Sequence, residues 1–164
     1  MIFVTIGTQA PFDRLIKAID EIAPQLNGER VVAQVFESSY QVKNLETVGF
    51  LSPDEFNTYF DEARLVVAHA GMGTIISALT QAKPLLILPR LASMGEHRND
   101  HQIATAKKMQ DLGYVQVAFD EQELVSKLLK MSAGANGSAA SPQIRKVASD
   151  TLISSVRGYI FSNK

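Results

Sequence analysis

There is no cysteine in the 164 residues. Disulfides and thiol catalysis are therefore excluded, and the composition suits a reducing compartment. No apolar run approaches the roughly 20 residues needed to cross a bilayer. The apolar opening is interrupted by Gly7, Gln9, Asp13 and Arg14, too early for a signal peptide. A basic surplus is missing too: the formal net charge is −1, whereas nucleic-acid-binding proteins usually carry a positive excess or stripe. The expectation is a soluble, cytoplasmic chain without a nucleic-acid partner, held at any membrane by something else. No internal repeat is visible. What remains is normal globular composition, 46% hydrophobic and 20% charged residues, at the length of one ordinary domain.

The most informative stretch is residues 64–90. Leu65 to Ala68 is an apolar, β-branched run of buried-strand length. His69-Ala70-Gly71-Met72-Gly73 breaks it, and Gly71 and Gly73 offer bare backbone. Thr74 to Gln81 places Ile75, Ala78 and Leu79 on one helical face; Pro84 ends the helix, and Leu85 to Leu88 is the next buried strand. A helix starting in a glycine turn after a strand carries free N–H groups and a partial positive charge, which suits a diphosphate. The dinucleotide fingerprint is incomplete, because Ile76 stands where its third glycine would fall.

The rest of the chain repeats the alternation. Ile2 to Ile6 reads as a strand, Gly7 to Pro11 as a turn, and Phe12 to Leu26 as a helix whose last turn Pro24 disturbs. Val31 to Phe36 is a second strand, and Val48 to Leu51 a short apolar stretch. Ser52-Pro53-Asp54-Glu55 is a helix start with cap, proline and acids in order. After a polar loop from Arg90 to Asn99, a helix from about Asp100 to Leu112 stops at Gly113. Tyr114 to Phe119 is a last short strand, and Glu121 to Met131 another helix. Strands alternating with helices predict an α/β, Rossmann-like, doubly wound and mainly parallel sheet, with ligands at the carboxyl ends of its strands. Residues 1–131 form that domain, residues 132–141 a flexible loop, and residues 142–164 a terminal helix with a stripe of Ile144, Val147, Leu152 and Val156.

His69-Ala70-Gly71-x-Gly73-Thr74, with Ala78-Leu79, Lys83-Pro84 and Pro89, resembles the signature of the C-terminal domain of glycosyltransferase family 28. Met1 to Gln9, with Pro11 to Ile16, is similar to the start of its short, two-subunit members. Glu96-His97-Arg98-Asn99-Asp100-His101-Gln102 resembles their bacterial exopolysaccharide branch. The likeness implies the donor-binding, C-terminal half of a GT-B enzyme. UDP-sugar would be the substrate, with no cofactor and no bound metal. A membrane-anchored subunit would supply the acceptor half and a lipid-linked sugar acceptor, keeping the chain peripheral at the inner face of the cell membrane.

Residue by residue, the resemblance assigns the donor diphosphate to Gly7, Thr8, Gln9, His69, Gly71, Met72, Gly73 and Thr74. It assigns the uracil to main-chain groups of Leu51, although Phe50 and Leu51 also read as core. Ser77 stands where the family usually has a glutamate that holds the ribose, and a single hydroxyl is a poorer substitute. Arg90, Glu96, Asn99, Asp100, His101 and Gln102 are the candidate donor-sugar residues, with Arg90 or Arg98 available to neutralise a leaving diphosphate. A metal at His97, Asp100 and His101 is the rival reading, and its spacing is not a standard zinc pattern. The catalytic base is unassigned and expected on the partner. A non-catalytic regulatory subunit that keeps the fold, and a UDP-sugar epimerase-like enzyme, are the alternatives.

Overall fold

The structure is a computed structural model that describes residues 1–134. The terminal helix expected at 142–164 and most of the 132–141 loop lie outside the described residues.

Six strands form one sheet: β1 Ile2–Thr5, β2 Val31–Gln34, β3 Glu46–Val48, β4 Leu65–His69, β5 Leu85–Leu88 and β6 Gln116–Val117. Their order is β3-β2-β1-β4-β5-β6, and all five pairings are parallel. Five helices connect and flank them: α1 Asp13–Ile22, α2 Pro53–Glu62, α3 Met72–Thr80, α4 His101–Asp111 and α5 Glu121–Ala133.

Period-two alternation divides the core into two layers. Ile2, Val4, Val67 and Leu88 face α1 and α5, packing with Leu15, Ile19, Leu124 and Leu128. Phe3, Val66, Ala68 and Ile87 face the other way, onto Phe60, Ile75, Leu79 and Ala106. Phe3 stacks on Tyr59 and meets Phe56 edge-on, both at 5.6 Å between ring centres. Such a sheet is doubly wound: the chain runs outward from β1 through β2 to β3, returns to β4 beside β1, and runs outward again. The reversal leaves a crevice between the carboxyl ends of β1 and β4.

Local signals explain most of the boundaries. Ser52 and Glu55 form a reciprocal capping box, the Ser52 N–H donating to Glu55 Oε2 at 2.8 Å, with Pro53 in the first turn. Pro24 converts the end of the first helix to a 3-10 turn, Ala23–Gln25. Gly113 stops α4 with φ +67°. Two expectations are corrected. The last strand is only Gln116–Val117, because the ladder with β5 closes after Ile87↔Val117. Phe50 is not core: β3 ends at Val48, and the ring projects into solvent, 71% exposed. In addition, α5 takes in Ser132 and Ala133 at the start of the expected loop.

Candidate functional site

The crevice between β1 and β4 is built around one histidine. Gly7 leaves β1 with φ +75°, a conformation glycine adopts without steric cost. His69 ends β4, and its ring lies against both Gly7 and Gly71. A Cβ on Gly7 would sit 2.8 Å from His69 Cε1, and one on Gly71 would collide with the ring more severely. Burial keeps the imidazole neutral, with its pKa pushed down to about 4; the Arg90 charge adds to the effect and the Thr5 backbone opposes it. Its Nδ1 is buried without a hydrogen-bond partner among the described residues.

Gly71 is the N-cap of α3, and no side chain caps the helix. Its first N–H groups therefore have no partner within the helix and, with the helix dipole, make the helix start electropositive. Gly73 lies in this first turn, and a Cβ there would meet nothing within 4 Å. The protein does not need a glycine at that place for packing, and glycine costs helix stability there.

The loop after β5 supplies the opposite wall. Arg90 is buried, and its guanidinium donates to the carbonyls of Ile6, Ala10, Pro11 and Glu96 at 2.6 to 3.2 Å. Its backbone N–H donates to Gln102 Oε1 at 3.1 Å, which orients that amide. Arg14 forks onto Glu96 at 2.7 and 2.9 Å, and Glu96 Oε2 also accepts the Leu91 N–H. Asp100 accepts the Ala92 N–H at 3.0 Å, and Asn99 Oδ1 accepts the His101 N–H at 3.3 Å. His97 Nδ1 lies 3.1 Å from both the carbonyl and the side-chain oxygen of Asn99.

Two adjoining cavities result, sharing Thr8, Gln9, His69, His97 and Gln102. One, about 490 Å³, opens onto the Gly71–Thr74 helix start and is lined also by His101 and Thr105. The other, about 380 Å³, lies over Arg90, Glu96 and Arg98. All three histidines of the chain line the first cavity. Among the described residues, no three His, Cys, Asp or Glu side chains come together as a metal site. Arrangement and charge suit an anionic group at the helix start beside a hydroxyl-rich group between Gln102 and the histidines.

The family model of the glycosyltransferase family 28 C-terminal domain matches residues 1–153. The chain belongs to this family. The UDP-N-acetylglucosamine transferase subunit ALG13 of Eremothecium gossypii is 28% identical over 126 residues, 76% of this chain and 60% of that relative. The subunit of the same name from Mus musculus is 28% identical over 123 residues, 69% of this chain and 10% of the relative. The chain thus spans less than two thirds of either relative. A solution structure of ALG13 overlays with a TM-score of 0.57 at 21% identity, covering 94% of this chain and 93% of that one. The spinosyn rhamnosyltransferase SpnG complexed with thymidine diphosphate overlays at 0.58 and 19% identity, covering 85% of this chain and 38% of that one. MurG of Acinetobacter baumannii overlays at 0.51 and 17%, covering 86% and 45%. At such identities the likeness shows the fold, a Rossmann-like half of a GT-B glycosyltransferase.

Within this family member, the structure brings Gly7, Thr8, Gln9, His69, Gly71, Met72, Gly73, Thr74, His101 and Gln102 around one cavity. Arg90 and Glu96 line the neighbouring one, but their polar atoms are largely engaged by Arg14 and by backbone groups. Asn99 and Asp100 line neither cavity and hold the loop in shape. Leu51 lies instead in a separate groove with Phe50, Glu55 and Tyr59, and Ser77 lines none of these spaces. Among the cavity-lining residues, Thr105 was not singled out by the sequence reading. It stands one helical turn beyond His101 on α4, and that spacing is the signal that could have found it.

Proposed function

We propose that this chain is the donor-binding part of a UDP-sugar glycosyltransferase, completed by a second subunit that holds the acceptor. The observation that carries the reading is the start of α3. It is an uncapped helix N-terminus with unfilled space at Gly73, facing His101 and Gln102 across a cavity. The N–H groups of Met72, Gly73 and Thr74 would hold the diphosphate, and Gln102 with His101 the sugar hydroxyls. As the glycosidic bond to phosphate breaks, negative charge grows on the departing UDP, where the helix start stabilises it without reorganisation. Leu51 and the exposed Phe50 would receive the uracil. The ALG13 relatives, which are UDP-N-acetylglucosamine transferase subunits, support the nucleotide and the subunit organisation.

The reaction would be inverting transfer to a lipid-linked acceptor, in exopolysaccharide or capsule synthesis, as the Glu96–Gln102 motif suggests. No residue here is assigned as the base that deprotonates the acceptor hydroxyl; that base belongs to the partner, membrane-anchored subunit. The isolated chain is then inactive or nearly so. Among the described residues no helix is long and apolar enough to cross a membrane, which is compatible with recruitment by such a partner.

Ser77 favours a second reading, a regulatory subunit that has kept the fold and lost the donor, since it replaces a ribose-binding carboxylate and lines neither cavity. Calorimetric titration with UDP, and with GDP and ADP as controls, separates the two. Selective UDP binding that Gly73→Val abolishes supports the donor site. Absence of UDP binding, both alone and with the partner subunit, leaves the regulatory reading. Gly73→Val is informative because the Cβ position at Gly73 is open, and a thermal melt of the variant separates lost binding from lost folding.

A further inference from the structure

The loop after β1 has almost nothing of its own to define it. Among the described residues, no backbone–backbone hydrogen bond reaches residues 7–11. The Gly7 N–H makes one long contact, 3.4 Å, to Thr5 Oγ1. The other ties come from the guanidinium of Arg90, a residue of the loop after β5. Nη2 donates to Ile6 and Ala10 at 2.9 and 2.7 Å, and Nη1 to Pro11 and Glu96 at 2.6 and 3.2 Å. The fork is stacked over the Phe12 ring, 4.6 Å from its centre.

We propose that Arg90 is a positioning residue: one buried fork sets the β1 loop and the β5 loop against each other, so both halves of the donor site take their geometry from it. The inference rests on the nucleotide-sugar reading for its ligand, and on the contacts alone for the brace. Two features favour positioning over plain stability. No carboxylate forms an ion pair with Arg90 among the described residues, whereas neighbouring Arg14 pairs with Glu96 and Glu121. A buried cation without such a pair is a poor stabiliser compared with an apolar side chain of similar volume. The acceptors are also carbonyls of two strand-end loops, whose relative placement decides whether Thr8 and Gln9 meet Gln102 in the same cavity. Lysine cannot replace it, because a single ammonium has no planar fork to reach four carbonyls arrayed around it.

The test compares the chain with Arg90→Lys by thermal unfolding, by amide NMR shifts, and by calorimetry with UDP and UDP-N-acetylglucosamine. Arg90→Lys is expected to stay folded at the assay temperature and to bind UDP-N-acetylglucosamine at least tenfold more weakly. Its amide shifts should spread over both 7–11 and 91–102. In Arg90→Ala, millimolar guanidinium ion should restore much of that affinity. Wild-type affinity in Arg90→Lys, or a loss explained wholly by the unfolded fraction, overturns the proposal. If the lysine variant does not fold, Arg90→Met, which leaves no unpaired ammonium, carries the same comparison. If the unaltered chain binds neither ligand, alone or with the partner subunit, the nucleotide reading fails separately. The shifts then decide the brace: spread over both loops they support it, and confined to the neighbours of residue 90 they overturn it.

Discussion

The ring of His69 occupies the space that a side chain on Gly7 would need, 2.8 Å from the Cβ position to Cε1. The two residues stand at the ends of neighbouring strands, β4 and β1, so the histidine acts as the spacer between two glycine loops. Gly7→Ala should therefore destabilise the chain by about 1–3 kcal/mol, from crowding together with a positive φ that alanine resists. Denaturant unfolding measures it. Adding His69→Ala should recover part of the loss, the crowding part, and leave the backbone part. Strictly additive effects in the double variant would count against the spacer role.

Acid should expose the same histidine. Its pKa in the folded chain is about 4, below the ordinary value of 6.5, so the unfolded chain takes up the proton first. Stability is then complete above pH 6.5 and falls as pH drops toward 4, by on the order of 3 kcal/mol over the whole window. The carboxylates with lowered pKa values, such as Asp13, Glu29 and Glu123, act only below their own ordinary range. The decline between pH 6.5 and 5 should therefore belong to His69. Urea unfolding across that interval should show it in the native chain and a flatter profile in His69→Asn.

Gly73 sets stability against binding. Gly73→Ala places its methyl in open space within the first turn of α3 and should raise stability by roughly 0.5–1 kcal/mol. Gly73 also lines the cavity, so UDP should bind several-fold more weakly. A higher melting temperature with unchanged UDP affinity would remove the phosphate from the helix start.

Ala82 gives a control away from the site. It follows α3 with φ +52°, a conformation that favours glycine over alanine. Ala82→Gly should stabilise the chain by about 1 kcal/mol and leave nucleotide titration unchanged. Parallel thermal and calorimetric runs check both halves of that statement.

The layers of the fold were legible because strand alternation, the Ser52–Glu55 box and the proline and glycine stops are local chemistry. The convergence of the Gly7 and His69–Gly73 loops was legible too, since βα alternation puts strand ends on one edge. Arg90 and Glu96 were harder. Their partners are backbone carbonyls and the Arg14 guanidinium, brought from residues 6–14 by the fold, and no spacing rule reports a carbonyl. Phe50 misled for a related reason: an apolar residue next to a strand reads as core until the strand is seen to stop at Val48.

The sheet is finished on both sides by very short strands, three residues in β3 and two in β6. Each rim therefore presents few free ladder groups, and neighbouring copies have little template for adding strands to one another. The folded chain can accumulate on its own without being drawn into edge-to-edge aggregates.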